Sequence, residues 1–347
     1  MSSPVSVLIP TYNAERFIRK AVESVLVQSH SDFELVVIDN ASTDATPEIL
    51  QEYASSDKRV RILQNEENIG FQRSINRGLR AAKHEYVAKL DAPDWMPIYR
   101  LVQQASFLDD HPAVAVVGGD SEFYDAQYTA MGCRRLSKHY LPVEMLFGCY
   151  LSHSAVMYRR SILLRLGGYR EDLIRAEDYD MWIRLLQNGY QLVNLPKIMS
   201  FELVFEGQGA DFHVDEEFET VRNAKMDLMR TISGRNLPPF FEPVVSGICC
   251  SRITGGVPPK EVHACTKFLC GQFIGDLLDF FPYIDEGRAR GVIRVRLKEY
   301  IKHNLLSRHG QAVLKAARAE GLDPGRKAMS TGIKYAGERA LRFLSKI

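Results

Sequence analysis

The sequence predicts an open, mostly parallel α/β sheet of the Rossmann type, flanked by helices, and three observations support this fold class. Short apolar runs alternate with segments of helical periodicity between residues 5 and 90, a spacing typical of parallel βαβ units with right-handed crossovers. Polar residues stand directly after the apolar runs, as they do at the carboxyl edge of such a sheet. The composition, 46% apolar and 25% charged over 347 residues, is that of a soluble globular protein with room for a second, smaller domain.

The elements of this part follow in order along the chain. The predicted strands are 5–9, 33–38, 60–63, 85–90 and 113–117, and the predicted helices are 17–28, one from about Pro47, and 71–83. Thr43 and Asp44 precede the second helix and can cap its first turn. No GxGxxG follows the first strand and no P-loop motif occurs, so neither a dinucleotide site nor a P-loop is indicated.

Polar side chains at three strand ends are the first candidates for a binding site, because the ends meet in one crevice of a doubly wound sheet. These residues are Thr11, Tyr12 and Asn13, then Asp39, then Asp91. Tyr12 offers an aromatic face for a base, and Asp39 offers a carboxylate for an imide N–H or a ribose hydroxyl. Asp and Asn are also ordinary turn residues after strands, so each position taken alone is open to that interpretation.

Two pairs of carboxylates are candidates for ligand binding or catalysis. Asp91 and Asp94 follow the fourth strand on a turn stiffened by Pro93, where they can bond a sugar hydroxyl, hold a divalent cation, or simply form the turn. Glu177 and Asp178 open a later helix, where acids suit the helix dipole and can also act as a general base.

Together these motifs resemble those of the family 2 glycosyltransferases, which have the GT-A fold. The matching segments are Val7–Asn13, Val36–Asp39, Ser42–Asp44, Asn68–Gly70, Ser74–Gly78 and Leu90–Asp94, in the family's order and at its intervals. The resemblance covers roughly residues 4 to 206. It implies an inverting transfer of a sugar from a nucleotide donor.

The resemblance also implies roles for particular residues. Asp178 corresponds to the catalytic base, which takes the acceptor hydroxyl's proton as that oxygen attacks the anomeric carbon. The residues implied in nucleotide-sugar binding are Thr11, Tyr12, Asn13, Asp39, Asn68, Gly70, Arg73, Lys89 and Asp91. The residues implied on the acceptor or donor-sugar side are His153, Gly168, Glu177 and Trp182, although a structural histidine and a glycine turn are the alternatives at two of these positions.

The sequence departs from the family at the metal site. The second Asp of the family's Asp-x-Asp-Asp motif is Pro93 here, and the histidine after the catalytic helix is Phe205. Dependence on Mn²⁺ or Mg²⁺ is therefore open. The alternatives are a metal held in shifted geometry by Asp94 or Asp91, with or without His213, leaving-group stabilisation without metal (Arg73, Lys89 or Arg175), and loss of catalysis.

The resemblance fades near residue 211, where helical periodicity takes over. We expect a GT-A catalytic domain at 1–210, a helical domain at 211–325 and a terminal helix at 326–347, with helices at 214–232, 259–281, 285–307 and 309–320. In the terminal segment, six basic residues face one acid, and apolar residues recur every three or four positions. Such a helix either lies on an anionic membrane surface or docks on the protein with its basic face in solvent.

The predicted activity is transfer from a UDP-sugar to a glycan or lipid-linked acceptor in surface polysaccharide synthesis. The alternatives are a non-catalytic member that binds nucleotide-sugar or glycan or scaffolds assembly enzymes, and a nucleotidyltransferase. The sequence shows no signal peptide, no apolar run long enough to span a bilayer and no CxxC pair, which predicts a cytoplasmic protein, at the inner face of the membrane if the terminal helix binds lipid. The net charge of +1 gives no argument for nucleic acid.

Overall fold

The computed structural model describes residues 2–136, 142–205, 214–239, 241, 243–245, 257–304 and 308–322. His213 and the predicted terminal helix at 326–347 lie outside these residues. The chain divides into two compact units, one of residues 1–141 with 149–221, and the other of residues 142–148 with 222–347.

The first unit is built on one eight-stranded sheet. Its strands are β1 Val5–Thr11, β2 Phe33–Asp39, β3 Val60–Gln64, β4 Tyr86–Lys89, β5 Val114–Tyr124, β6 Ala130–Arg134, β7 Met157–Arg159 and β8 Gln191–Leu203. The order is β3-β2-β1-β4-β7-β5-β6, with β8 beside β5. The strands predicted up to residue 117 are confirmed, and β1, β2, β3 and β4 pair in parallel as expected. The second half is mixed, because β7 runs antiparallel to both β4 and β5.

Helices of the first unit cover the sheet and bury its central strands. These helices are α1 Ile18–Leu26, α2 Thr46–Ser56, α3 Phe71–Ala81, α4 Arg100–Asp110, α6 Arg160–Arg165 and α7 Glu177–Gln187; the short α5 Pro142–Met145 belongs to the second unit, and α8 spans Val214–Ser233. Every residue of β1 and β2 is buried, as in a sheet that is covered on both faces. The expected cap of α2 is confirmed in part: Asp44 accepts the N–H of Thr46 (3.0 Å), whereas the Thr43 N–H donates to Asn13.

The described part of the second unit is helical, with α9 Pro259–Cys270, α10 Gln272–Phe280, α11 Glu286–Asn304 and α12 Arg308–Ala319. The prediction of one helix at 259–281 is wrong, because the chain breaks at Gly271, where a Cβ would lie 2.7 Å from Glu320 Oε2. Cys265 and Cys270 are buried thiols, as the apolar periodicity predicts. Among the described helices, none is both long and apolar enough to cross a bilayer.

Candidate functional site

Two pockets lie side by side in the first unit, and Phe71 at the start of α3 lines both. The strand-end pocket, of about 230 Å³, is formed by Thr11, Tyr12 and their neighbours at the end of β1. The Glu-Asp pocket, of about 620 Å³, is formed around Glu177 and Asp178 at the start of α7. Of the sequence-predicted residues, the first pocket is lined by Thr11, Tyr12 and Asn68, and the second is lined by His153, Glu177 and Asp178.

In the part of the chain that the structure describes, two buried polar atoms without protein partners lie at the ends of β1 and β2, and one of them belongs to Thr11, which lines the strand-end pocket. Thr11 and Asp39 end β1 and β2 in register, and both are buried. Asp39 Oδ1 accepts the N–H of Ser42 (3.1 Å), but Asp39 Oδ2 and Thr11 Oγ1 have no hydrogen-bond partner among the described residues. Because an unpaired buried polar group costs about 1–3 kcal/mol, these two atoms indicate a ligand that supplies hydrogen bonds. Tyr12 lines the same pocket and is 48% exposed.

A network of amide side chains holds the loop on the other side of this pocket. Asn40 Nδ2 donates to Asn68 Oδ1 (2.7 Å), and Asn65 Nδ2 donates to Asn40 Oδ1 (2.8 Å) and Ser74 Oγ (3.0 Å). Gly70, at φ +86°, turns the chain into α3 and donates its N–H to Asn68 Oδ1 (3.1 Å). Asn40, Asn65 and Ser74 were not among the residues predicted from sequence, although Asn40 follows the predicted Asp39 directly and Ser74 lies within a matching segment.

Asn13 contacts the loop after β2. Its Oδ1 accepts the Thr43 N–H (2.8 Å), and its own N–H donates to Ser42 Oγ (2.9 Å). Its φ of +49° is a conformation that asparagine tolerates better than most residues. In this arrangement Asn13 fixes the loop that carries Ser42, and thereby Asp39.

Charged and polar groups cluster where β4 ends. Lys89 is fully buried and forms an ion pair with Asp91 Oδ2, and the Ser154 hydroxyl bonds both Asp91 Oδ2 (2.9 Å) and the Asp94 carboxyl. Burial raises the pKa of Asp91, but the Lys89 ammonium and the hydrogen bonds outweigh burial, so this pKa lies below its ordinary value. Burial and the nearby Asp91 charge raise the pKa of Asp94 to about 8.

The described side chains do not fit a divalent metal ion. Asp91 offers one carboxylate, and its side chain is 34% exposed. Asp94 is 6% exposed, and its two oxygens are taken by Ser154 and by the N–H of Leu203 (3.0 Å). No group of three His, Cys, Asp or Glu side chains within the described ranges is placed to hold an ion. Asp91 and Asp94 alone therefore do not form a ligand set, and the alternative that adds His213 lies outside the described residues.

Pro93 and Phe205, which stand where the resemblance implies metal ligands, also offer no ligand atom in their side chains. Pro93 lies on the turn between Asp91 and Asp94 and has no side-chain donor atom. The ring of Phe205 packs edge-on against Phe17 at the start of α1, with 5.2 Å between centroids. An apolar contact thus occupies the place of the family's histidine ligand.

Glu177 and Asp178 are presented to the larger pocket by a strained turn. Ala176, directly before α7, has φ +58°, a left-handed conformation that alanine rarely adopts and that is frequent at functional sites. Asp178 Oδ1 accepts the N–H of Tyr179 (2.7 Å), and Oδ2 lies 4.0 Å from the Cys149 thiol. Burial raises the pKa of both carboxyls, and with the added charge of Asp178 that of Glu177 reaches about 7.

His153 lines the Glu-Asp pocket, and Trp182 lies behind it. His153 Nε2 hydrogen-bonds the Tyr169 hydroxyl (3.0 Å). Burial, assisted by the Lys89 charge, lowers the pKa of His153 well below its ordinary value, so the imidazole is neutral. Trp182 is fully buried and edge-on to His153, with 6.1 Å between ring centroids. Trp182, expected on the acceptor or donor-sugar side, therefore lies on the buried face of α7, as the helical periodicity predicts, and packs against His153.

Gly168 and Arg73 lie on the side of the site that is formed by α3. Gly168, at φ +74°, passes so close to α3 that a Cβ would lie 2.5 Å from Asn76 Oδ1. Asn76 in turn bonds the backbone N–H and C=O of Tyr169 (2.8 Å each). Arg73 is exposed and pairs with Glu171 (3.4 Å). Gly168 thus acts by close packing, whereas the Arg73 guanidinium is accessible from solvent.

Comparison of sequences identifies relatives among glycosyltransferases. The family model described as "Glycosyl transferase family 2" matches residues 6–167. EpsE of Bacillus subtilis, described as a glycosyltransferase, is 34% identical over 198 residues, which are 56% of this chain and 71% of that protein. An uncharacterized glycosyltransferase of Methanocaldococcus jannaschii is 32% identical, over 54% of this chain and 66% of its own length. TuaG of B. subtilis, named for teichuronic acid biosynthesis, is 41% identical over 104 residues, 30% of this chain and 41% of that protein.

Comparison of structures identifies the same fold in S. aureus TarS. The structure of TarS 1–349 in complex with UDP-GlcNAc matches with a TM-score of 0.56, and the match covers 92% of each chain at 20% sequence identity. Its structure without a named ligand gives a TM-score of 0.54. At this identity the likeness concerns the fold alone. The expected GT-A fold with a helical C-terminal region is confirmed.

Proposed function

Because the chain belongs to glycosyltransferase family 2 and is itself a glycosyltransferase, we propose that it transfers a sugar from a UDP-sugar to a glycan or lipid-linked acceptor, with inversion at the anomeric carbon. The observation that carries the proposal is the strand-end pocket beside the unpartnered Asp39 Oδ2 and Thr11 Oγ1. It adjoins a second pocket that holds Glu177 and Asp178. The strand-end pocket suits a nucleotide, and the Glu-Asp pocket suits the reacting sugar and the acceptor hydroxyl.

The donor end is proposed to hold uridine. Asp39 Oδ2 is an acceptor for the imide N–H of a uracil ring, and the exposed Tyr12 ring can stack on that base. Asp91 and the region of Asn68 and Gly70 then face the ribose and the phosphates. The complex of TarS with UDP-GlcNAc, on the same fold, supports a uridine donor.

The reaction is proposed to run as a direct displacement. Asp178 takes the proton of the acceptor hydroxyl while that oxygen bonds to the anomeric carbon, and the bond from this carbon to the diphosphate oxygen breaks. The raised pKa of Asp178 makes it a stronger base than an exposed carboxylate. Glu177, with a pKa of about 7, is partly protonated near neutral pH and can donate a hydrogen bond that orients the acceptor. The neutral His153 lines the same pocket and can contact the sugar without adding charge.

No step is assigned to a metal ion, because the described side chains do not provide a ligand set. The leaving diphosphate gains negative charge, and the accessible cation of Arg73 and the Lys89–Asp91 pair are the proposed protein groups nearest to it. Calorimetric titration with UDP, once with Mn²⁺ and once with EDTA, tests this. Equal binding in both is expected, and binding that requires Mn²⁺ would contradict it.

The acceptor side and the membrane contact form a separate part of the proposal. A lipid-linked acceptor would be reached at the inner face of a membrane through the basic amphipathic segment 326–347, following a catalytic domain at 1–210 and a helical domain at 211–325. TuaG, a relative named for teichuronic acid biosynthesis, supports surface polysaccharide as the product class.

Substitution of Asp39 tests the donor site. In Asp39→Asn the oxygen that accepts the Ser42 N–H is kept, but the acceptor for the base is replaced by an N–H₂ donor. We expect UDP affinity to fall by about tenfold or more, which corresponds to roughly 1.4 kcal/mol or more. Asp57→Asn, which removes a carboxylate on the turn before β3, is the control. Unchanged UDP binding in Asp39→Asn would contradict the proposed base site.

A further inference from the structure

The hydrogen-bond cluster at the end of β4 contains more acceptors than a single hydroxyl can serve. Ser154, in the turn His153–Ala155, is 2% exposed. Its Oγ accepts the N–H of Asp91 (3.1 Å) and also lies against Asp91 Oδ2 (2.9 Å) and Asp94 Oδ2. A serine hydroxyl has one proton, so it can donate to only one of these two carboxylate oxygens. The other contact requires a second proton, carried by a carboxyl.

The surroundings of the two carboxyls decide which of them carries it. Asp91 is paired with the Lys89 ammonium and keeps a side chain that is 34% exposed, so its ionised form is stabilised. Asp94 is 6% exposed, and its Oδ1 accepts the neutral N–H of Leu203. Of the charged groups around it, the Arg100 guanidinium favours the ionised carboxyl, whereas the Asp91 and Glu202 carboxylates and the burial favour the protonated one. We propose that Asp94 carries the second proton and donates a hydrogen bond through it to Ser154 Oγ. Through Ser154, Asp94 acts as a positioning residue for the Asp91 carboxylate. In this arrangement Ser154 accepts from Asp94 and from the Asp91 N–H, and it donates to Asp91 Oδ2.

Arg100 fixes the backbone around this chain of hydrogen bonds. It is fully buried and donates to the carbonyls of Ser154 (2.5 Å), Lys89 (2.9 Å) and Val156 (2.9 Å). With the backbone held, the side-chain bonds to Lys89 and Ser154 determine the direction of the Asp91 carboxylate. Its Oδ2 is engaged by both, which leaves Oδ1 without a protein partner among the described residues.

The consequence for the reaction rests on the proposed function, in which Asp91 faces the nucleotide-sugar. A carboxylate held in one orientation before the ligand arrives loses less entropy on binding than a mobile one. Asp94 would then serve the site without touching the donor.

The test is UDP titration of the full-length protein by calorimetry, with melting temperatures to monitor folding. We expect Ser154→Ala and Asp94→Leu to weaken UDP binding by about tenfold, whereas Asp94→Asn stays within about threefold, because its amide still donates to Ser154 and accepts from Leu203. Ser6→Ala is the matched control, since Ser6 is a buried serine that donates to Glu34 (2.7 Å) and accepts the His84 N–H (3.1 Å) at the opposite edge of the sheet. It should lower stability with UDP affinity unchanged.

Two outcomes would overturn the positioning role. One is an Asp94→Asn protein as weak as Asp94→Leu, which would mean that the charge of Asp94 is needed. The other is a Ser154→Ala protein that behaves like Ser6→Ala. If Asp94→Leu does not fold, the comparison of UDP affinity between Ser154→Ala and Ser6→Ala tests the positioning role.

Failure of the proposed function is recognised separately. It would appear as no UDP binding by the wild type, or as unchanged binding in Asp91→Ala. In that case the protonation state of Asp94 is tested by the infrared difference spectrum between wild type and Asp94→Asn at neutral pH. A carbonyl stretch of a protonated carboxylic acid is expected in the wild type, and its absence would refute the assignment.

Discussion

Asp178 is the residue on which the proposed chemistry depends most directly. Asp178→Asn keeps the size of the side chain and an oxygen for the Tyr179 N–H but removes the basic group. We expect kcat to fall by about 10²–10⁴-fold, the usual contribution of a general base, with UDP affinity nearly unchanged. UDP release in the presence of acceptor measures the first quantity, and calorimetry measures the second.

The control for this substitution is Asp172→Asn. Asp172 is an exposed carboxylate in the preceding loop, paired with Arg170 (2.6 Å), and its removal should leave turnover unchanged. Full turnover in Asp178→Asn would contradict Asp178 as the catalytic base, whereas no turnover by the wild type would favour the alternative in which the domain binds or scaffolds without catalysis.

Glu177 gives a prediction about pH. Burial and the Asp178 charge raise its pKa from an ordinary value near 4.5 to about 7, so the folded protein holds a proton that the unfolded chain releases between these two values. The stabilisation from this proton is present below pH 4.5 and is lost as the pH rises through 7. In Glu177→Gln the free energy of unfolding should fall less steeply between pH 5 and pH 7, by up to about 1.4 kcal/mol per pH unit. Urea unfolding at several pH values measures the slope, and identical slopes in both proteins would contradict the raised pKa.

At the scale of elements, the turn at Gly167-Gly168 attaches the segment before α7 to α3. Both glycines have positive φ, +87° and +74°, but only at Gly168 would a Cβ meet another atom, Asn76 Oδ1 at 2.5 Å. Gly167→Ala should therefore cost only the backbone strain of about 1–2 kcal/mol. Gly168→Ala should cost about 1–3 kcal/mol more, because Asn76 must move and its bonds to Tyr169 weaken. Urea unfolding of the two variants measures the difference, and equal losses would contradict the packing role.

The strands and helices differ in how far they could be predicted from the sequence. Strands β1 to β4 were predictable because each is a short apolar run followed by a polar turn, and the helices between them repeat apolar residues on one face. The break at Gly271 was not predicted, because apolar periodicity continues through it and the close approach of Glu320 involves a residue distant in sequence. A strand was expected within residues 152–160, where β7 lies, but its antiparallel direction was not predictable, since an apolar run does not specify strand direction.

The candidate site was predictable only where residues stand inside a motif. Asp39, Asp91 and Asp178 follow from position at a strand end or a helix start. Ser154 did not, because its importance comes from contacts with residues about 60 positions earlier in the chain. For Trp182 the helical periodicity predicted burial, but it could not indicate that the ring packs against His153.

At the scale of the whole molecule, the near-zero net charge conceals two opposite halves. Residues 1–221 contain 22 Lys and Arg against 32 Asp and Glu, whereas residues 222–347 contain 22 Lys and Arg against 11 Asp and Glu. The excess positive charge therefore lies in the same part of the chain as the segment 326–347. A strongly basic region is attracted to anionic surfaces, and the acidic remainder is repelled by them.

Binding to lipid vesicles tests this charge division on the full-length protein. We expect co-sedimentation with vesicles that contain phosphatidylglycerol, weaker co-sedimentation with pure phosphatidylcholine, and release by salt, because the attraction is screened. The double variant Lys334→Glu/Arg342→Glu should bind at least about tenfold more weakly, since each basic residue near an anionic surface contributes about 1 kcal/mol. The control is Lys58→Glu/Arg80→Glu, which changes the net charge equally at exposed positions of the first unit. If both double variants lose the same affinity, the attraction comes from net charge alone and the membrane role of the terminal segment is wrong.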